Sequence, residues 1–116
     1  MLPKINAIKK KKDFESIFKN SKSFKNNLFI FKIMKNNLGL NRFGFVVSQK
    51  VSKKAVIRNK VKRRLSEIIK AEEKNIKSGI DLIIITLPGS EKKDFSELKE
   101  AVSDALIKAK LIDLPS

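Results

Sequence analysis

The stretch Leu82-Ile83-Ile84-Ile85 constrains the fold more than any other part of this chain. It is an unbroken apolar run set between Ser78-Gly79 and Pro88-Gly89, two turn signals. A strand with one wet face alternates apolar and polar residues. Four consecutive apolar residues instead read as a strand, Asp81 to Leu87, covered on both faces. The rest of the chain has to supply that cover.

Two other segments read as strands. In Leu28–Met34 the residues Phe29, Phe31 and Ile33 alternate against Leu28, Ile30 and Lys32, and in Arg42–Gln49 the residues Phe43, Phe45 and Val47 share one face. The turn cluster Asn36-Asn37-Leu38-Gly39 between them predicts an antiparallel hairpin. Ser23-Phe24-Lys25 is a candidate edge strand. Helical periodicity appears three times. Phe14, Ile17 and Phe18 mark a short helix from Asp13 to Asn20. Ile57, Val61, Leu65, Ile68 and Ile69 form the apolar stripe of a long helix, which starts between Ser52 and Ala55 and runs to about Asn75. Asp94-Phe95-Ser96-Glu97 has capping-box spacing, with Asp as the acceptor. The helix behind it runs to about Lys110 and is expected to bury Phe95, Leu98, Val102, Ala105, Leu106 and Ala109. The order α-β-β-α-β-α predicts an α+β fold, a small two-layer sandwich of helices on one mostly antiparallel sheet. One domain spanning residues 1–116 is expected, with residues 1–12 as a flexible basic arm.

Several functional classes fall away on composition. With no cysteine, disulfides and thiolate metal sites are impossible, which fits a reducing compartment. With no histidine, the commonest general base and metal ligand is missing, so a histidine-dependent nuclease is excluded. No run of eighteen apolar residues occurs, and Met1–Lys12 is too polar for a signal peptide. A soluble cytoplasmic protein is expected.

Charge then points to a partner. The net charge is +15, and it is unevenly placed. Residues 1–66 carry 19 Lys and Arg against Asp13 and Glu15, a surplus of 17, while residues 67–116 carry eight against ten acids, a deficit of two. An AT-rich genome would raise lysine everywhere, and it does not explain why the surplus stops near Glu67. A field concentrated on one region attracts polyanions. Nucleic acid is favoured over an anionic membrane surface, and no membrane partner is expected.

The densest segment runs from Lys50 to Arg64, with eight basic residues and no acid. On a helix Arg58, Lys62 and Ser66 fall on one i, i+4, i+8 line, with Asn59 and Arg63 beside it and away from Ile57, Val61 and Leu65. Arginine can fork two phosphate oxygens, lysine supplies a mobile point charge, and asparagine can read a base edge or a ribose hydroxyl. A merely solvated face would mix both signs, and this one does not.

Ala55-Val56-Ile57-Arg58-Asn59-Lys60-Val61-Lys62-Arg63 resembles the A-V-x-R-N-x-x-K-R pattern of the bacterial ribonuclease P protein family. The likeness extends to Ser48-Gln49-Lys50, to Asp13-Phe14-Glu15-Ser16-Ile17-Phe18 and to the strand beginning at Asp81. The resemblance implies a left-handed βαβ crossover, where general rules favour the right-handed one. It also implies that Arg58, Asn59, Lys62 and Arg63 meet a catalytic RNA subunit, extended by Lys50, Lys53 and Lys54. Phe14, Phe18 and Lys32, with the exposed face of the hairpin, would hold the single-stranded 5′ leader of precursor tRNA, since bases stack on aromatic rings without demanding a sequence. Core packing is an equally open role for the two rings. The family commonly has an arginine where Ser66 stands, and Lys70, one turn further on, is the candidate replacement. Gln49 and Leu87 also stand where basic residues are common.

On this reading the chain holds no catalytic residue, no metal and no cofactor of its own, and Mg²⁺ serves the RNA-catalysed reaction. Its partners are the RNA subunit and precursor tRNA, and the protein is expected to be monomeric apart from the RNA. Three rivals differ in specific ways. An rRNA-binding protein would share size and charge but not the ordered Arg58-Asn59 and Phe14–Phe18 segments. A protein-only Mg²⁺ nuclease needs paired acids in the basic half. A DNA-binding domain needs a helix-turn-helix pair before the basic helix.

Overall fold

The computed structural model describes residues 7–111. Its elements, in chain order, are α1 (Lys11–Asn20), β1 (Lys22–Lys25), β2 (Phe29–Lys35), β3 (Arg42–Val46), α2 (Ala55–Glu72), β4 (Ile80–Thr86) and α3 (Phe95–Lys108). A 3-10 turn over Glu73–Asn75 finishes α2, and Gly79, at φ +85°, turns the chain into β4. The fold is α+β, with three α-helices and a four-stranded mixed sheet.

The strand order is β1-β2-β4-β3. Strand β4 runs antiparallel to β2, with Phe31 opposite Ile84, and parallel to β3, with Phe45 opposite Ile84. The expected β2–β3 hairpin therefore does not form. β4 is inserted between the two strands, because the most apolar segment is best satisfied where both edges and both faces are covered; all its residues but Ile85 are buried. The turn cluster does other work. Asn36 donates from Nδ2 to Leu40 O and to Asp81 Oδ1, while Asn41 Oδ1 accepts from Ile80 N. The β2–β3 connection is thus stitched to the start of β4. The candidate edge strand exists as β1, antiparallel to β2.

Alternation along the strands divides the sheet into two faces. On one, Phe29, Phe31, Phe43, Leu82 and Ile84 pack under Val61, Leu65, Ile68 and Ile69 of α2 and Leu98, Val102 and Leu106 of α3. This is the main core. Asp94 caps α3 as expected, its Oδ1 accepting from Glu97 N at 2.9 Å. Phe95 is an exception to the expected core. At the first position of α3 it is 38% exposed.

The opposite face carries α1. Ile17, fully buried, meets Ile83 and Ile8, with Phe14, Met34, Val46 and Ile85 packed against them. The arm expected to be flexible is docked from Ala7 onward. Ala7 bridges to Phe43, Ile8 N donates to Phe43 O, and α1 begins at Lys11 rather than Asp13. Burial of Ile8 explains the difference, since a lone apolar residue in a lysine run gives no periodicity to read. Residues 1–6 of the arm lie outside the described residues.

Candidate nucleic-acid interface

The long helix α2 separates its two surfaces cleanly. Val61, Leu65, Ile68 and Ile69 are buried and Ile57 is half-buried, whereas Asn59, Lys60, Lys62 and Arg63 are exposed. Lys50, Lys53 and Lys54 stand exposed on the loop that leads into it. That loop is ordered by its serines and by one anchor. Ser48 Oγ accepts from Lys50 N, Ser52 Oγ accepts from Lys54 N, and Val51 is buried.

Arg58 has a second task that its sequence position does not reveal. Its Nη1 donates to Ser52 O at 3.0 Å and to Lys53 O at 2.9 Å, folding the guanidinium back over the entrance loop. The other N–H groups of the fork make no hydrogen bond among the described residues. Arg64 points elsewhere and donates to Lys93 O at 3.2 Å, pinning α2 to the segment before α3. Ser66 and Lys70 are half-buried further along the helix, so Lys70 marks the less accessible end of the basic line.

Two features leave this surface electrically unbalanced. Among the described residues, none of its cations forms an ion pair. The helix N-terminus is also uncompensated: Lys54 at the N-cap makes no side-chain cap, and no acid occupies the first turn. Free N–H groups and the positive end of the helix dipole therefore add to the charge of Lys50, Lys53 and Lys54. Phosphate oxygens are the natural counterpart.

The second candidate surface is the α1 face of the sheet. Cross-strand partners share a face, so Ser23, Lys32, Ile83 and Gly44 form one row and Lys25, Ile30, Ile85 and Val46 the next. Lys32 Nζ donates to Ser23 Oγ at 2.7 Å. Ile30, Ile85 and Val46 are only half-buried. The two rings of α1 differ in burial. Phe14 is half-buried against Gly44, where an added Cβ would lie 3.0 Å from its ring atoms, while Phe18 is 43% exposed. Phe14, Phe18 and Lys32 are thus brought to one side of the molecule, beside a partly open apolar sheet surface.

One cluster escaped sequence reasoning. Arg42 donates from Nε to Asp81 Oδ1 at 2.8 Å and from Nη2 to Asp81 Oδ2 at 2.6 Å, and its Nη1 reaches Asp13 Oδ2 at 3.1 Å. Asp81 is fully buried. Hydrogen bonding to Asp81 raises the Arg42 pKa further above its already high range, with Asp13 adding to the effect against the opposing pull of burial. The available signal was Asp81 itself, since a buried carboxylate in an apolar strand needs a cation. Because one guanidinium bridges both carboxylates, Asp13 and Asp81 do not fit a metal ion. No group of three or more His, Cys, Asp or Glu able to hold one exists among the described residues. No helix among them is long and apolar enough to cross a membrane.

Comparison with known proteins agrees with this geometry along nearly the whole chain. The ribonuclease P family model matches residues 2–110. The ribonuclease P protein component of Clostridium botulinum is 38% identical over 107 residues, covering 91% of this chain and 96% of that protein. The Staphylococcus aureus RNase P protein structure superposes with a TM-score of 0.86 at 30% identity, over 95% of this chain and 100% of that one. For the Thermotoga maritima RNase P protein the TM-score is 0.81 at 31% identity, over 89% and 96%. Sequence and architecture together place this chain in the ribonuclease P protein family.

Proposed function

We propose that this chain is the protein subunit of a ribonuclease P ribonucleoprotein and assists removal of the 5′ leader from precursor tRNA. The observation that carries the reading is the α2 surface, where exposed cations without ion-pair partners among the described residues adjoin an uncapped helix N-terminus. Asn59, Lys62 and Arg63 meet the catalytic RNA subunit from the helix, and Lys50, Lys53 and Lys54 extend the contact. Arg58 contributes its remaining N–H groups while shaping the loop that presents the lysines. Lys70 takes the place of the arginine common at Ser66, at the margin of the contact.

The leader crosses the other surface, with Phe18 exposed for stacking, Phe14 set on Gly44, and Lys32 supplying a cation on the same face. The protein lowers repulsion between two polyanions and holds the leader. Hydrolysis of the phosphodiester belongs to the RNA subunit, and Mg²⁺ is held by RNA; in the basic half of the chain Asp13 is already bonded to Arg42. The protein acts in the cytoplasm, as a monomer apart from its RNA.

Reconstitution with the RNA subunit tests this directly. At low Mg²⁺ the protein should stimulate cleavage of precursor tRNA, because neutralised phosphates reduce the demand for divalent cations. No stimulation under those conditions would refute the reading.

A further inference from the structure

We propose that Arg42 is a positioning residue for leader binding: it fixes the first turn of α1 to the sheet and so holds the Phe14 ring in place over Gly44. The inference rests on the reading that α1 forms part of the leader site.

The helix cannot fix itself. It has ten residues, and Lys10 at its N-cap makes no side-chain capping hydrogen bond. A helix this short is marginal without tertiary contacts. Ile17 anchors its second half, being fully buried against Ile83. The first half has the Arg42–Asp13 bond as its polar tie to the sheet.

Arg42 is suited to this because it is itself immobilised. Two bonds to Asp81 fix the plane of the guanidinium, and Asp81 is buried and held by Asn36 Nδ2 at 2.8 Å. The remaining Nη1 carries that rigidity to the Asp13 carboxylate, which is one-third exposed. A planar fork transmits orientation in a way that a lysine could not.

The register makes the tie specific for the ring. Arg42 and Gly44 lie two residues apart on β3 and so share a face, just as Asp13 and Phe14 are consecutive on α1. Strand β3 therefore holds the helix at two adjoining points, a charged one and an apolar one. The absence of a Cβ at Gly44 lets the ring sit against the backbone. A methyl group there would lie 3.0 Å from Phe14 Cε1 and Cζ and push the ring outward.

The test uses the full chain assembled with its RNA subunit and compares affinity for precursor tRNA with affinity for mature tRNA. Their ratio isolates the leader. Asp13→Asn should lower this ratio about two- to fivefold, the range of a partly exposed ion pair, and leave affinity for the RNA subunit unchanged. Asp13→Glu, which keeps the charge, should restore part of the loss. Phe14→Ala should lower the ratio about tenfold, and the double variant should be no worse than Phe14→Ala alone. Gly44→Ala should reproduce the loss with Asp13 intact. If Phe14→Ala lowers the ratio but Asp13→Asn does not, or the two losses multiply, the positioning role is wrong and the leader reading stands. If Phe14→Ala leaves the ratio unchanged while Phe18→Ala lowers it, the positioning role is likewise wrong and the leader reading stands; if neither lowers it, the leader reading fails and takes this inference with it.

Discussion

Helices α2 and α3 lie side by side on the same face of the sheet and bury equivalent stripes, yet their outer surfaces follow opposite rules. α3 is built as a self-sufficient exposed helix. Asp94 caps it, Glu97 stands in its first turn, Lys93 pairs with Glu97 at 3.6 Å, and Glu100 and Asp104 alternate with Lys99 and Lys108. Helix α2 has none of these supports. It lacks a cap and an early acid, and it leaves Lys60, Lys62 and Arg63 exposed and unpaired among the described residues. Its stability comes from the buried stripe and from Arg58 and Arg64 bonding to backbone carbonyls. Neighbouring helices in one environment thus separate what folding requires from what a partner requires. The unbalanced charge of α2 is not explained by the fold.

This contrast can be broken at the core first. Leu65→Ala in α2 and Leu98→Ala in α3 remove fully buried side chains, and each should cost about 2–5 kcal/mol. Denaturant titration measures both. Similar losses support equal dependence on packing, while a much smaller loss for Leu65 would mean that α2 is held by something else.

On the outer surfaces the helices should part company. Lys62→Ala with Arg63→Ala should weaken affinity for the RNA subunit by roughly 2–4 kcal/mol, the scale of two charge-assisted contacts. The logarithmic salt slope should fall by about two. Thermal unfolding of the free protein should barely change. The corresponding neutralisation on α3, Glu100→Gln with Asp104→Asn, should alter neither affinity nor slope.

The smallest effects concern the helix ends. Asp94→Ala should destabilise the protein by about 1 kcal/mol and leave RNA affinity intact. Lys54→Asp should act in the reverse sense. A cap at the start of α2 should stabilise the free protein by up to about 1 kcal/mol and weaken RNA binding, because it places a carboxylate where phosphate is expected. A gain in both stability and affinity would contradict the view that this helix end is kept open for an anion.

What could be read in the sequence was local. The stripe from Val61 to Ile69, the Asp94–Glu97 cap and the doubly buried run at Leu82–Ile85 are periodicities or short spacings, and each appears where expected. The separation of the Asn59–Lys62–Arg63 surface from the core follows from the same helical arithmetic. Strand order was not legible. Asn36-Asn37-Leu38-Gly39 resembles a hairpin turn, and only the pairing of distant residues shows β4 lying between β2 and β3. Arg42 was missed for the same reason, since its partners lie 29 and 39 residues away. Phe95 misled because a helix periodicity does not say whether its first residue faces inward.

The central claim is that α2 presents its outer face to RNA and α3 does not. The chain has no native cysteine, so a single introduced one can carry a hydroxyl-radical source at a defined place. With Asn59→Cys the tethered source should cleave the bound RNA subunit at localised positions, and with Glu100→Cys it should give little cleavage above background. Strong localised cleavage from position 100 with none from position 59 would contradict the account.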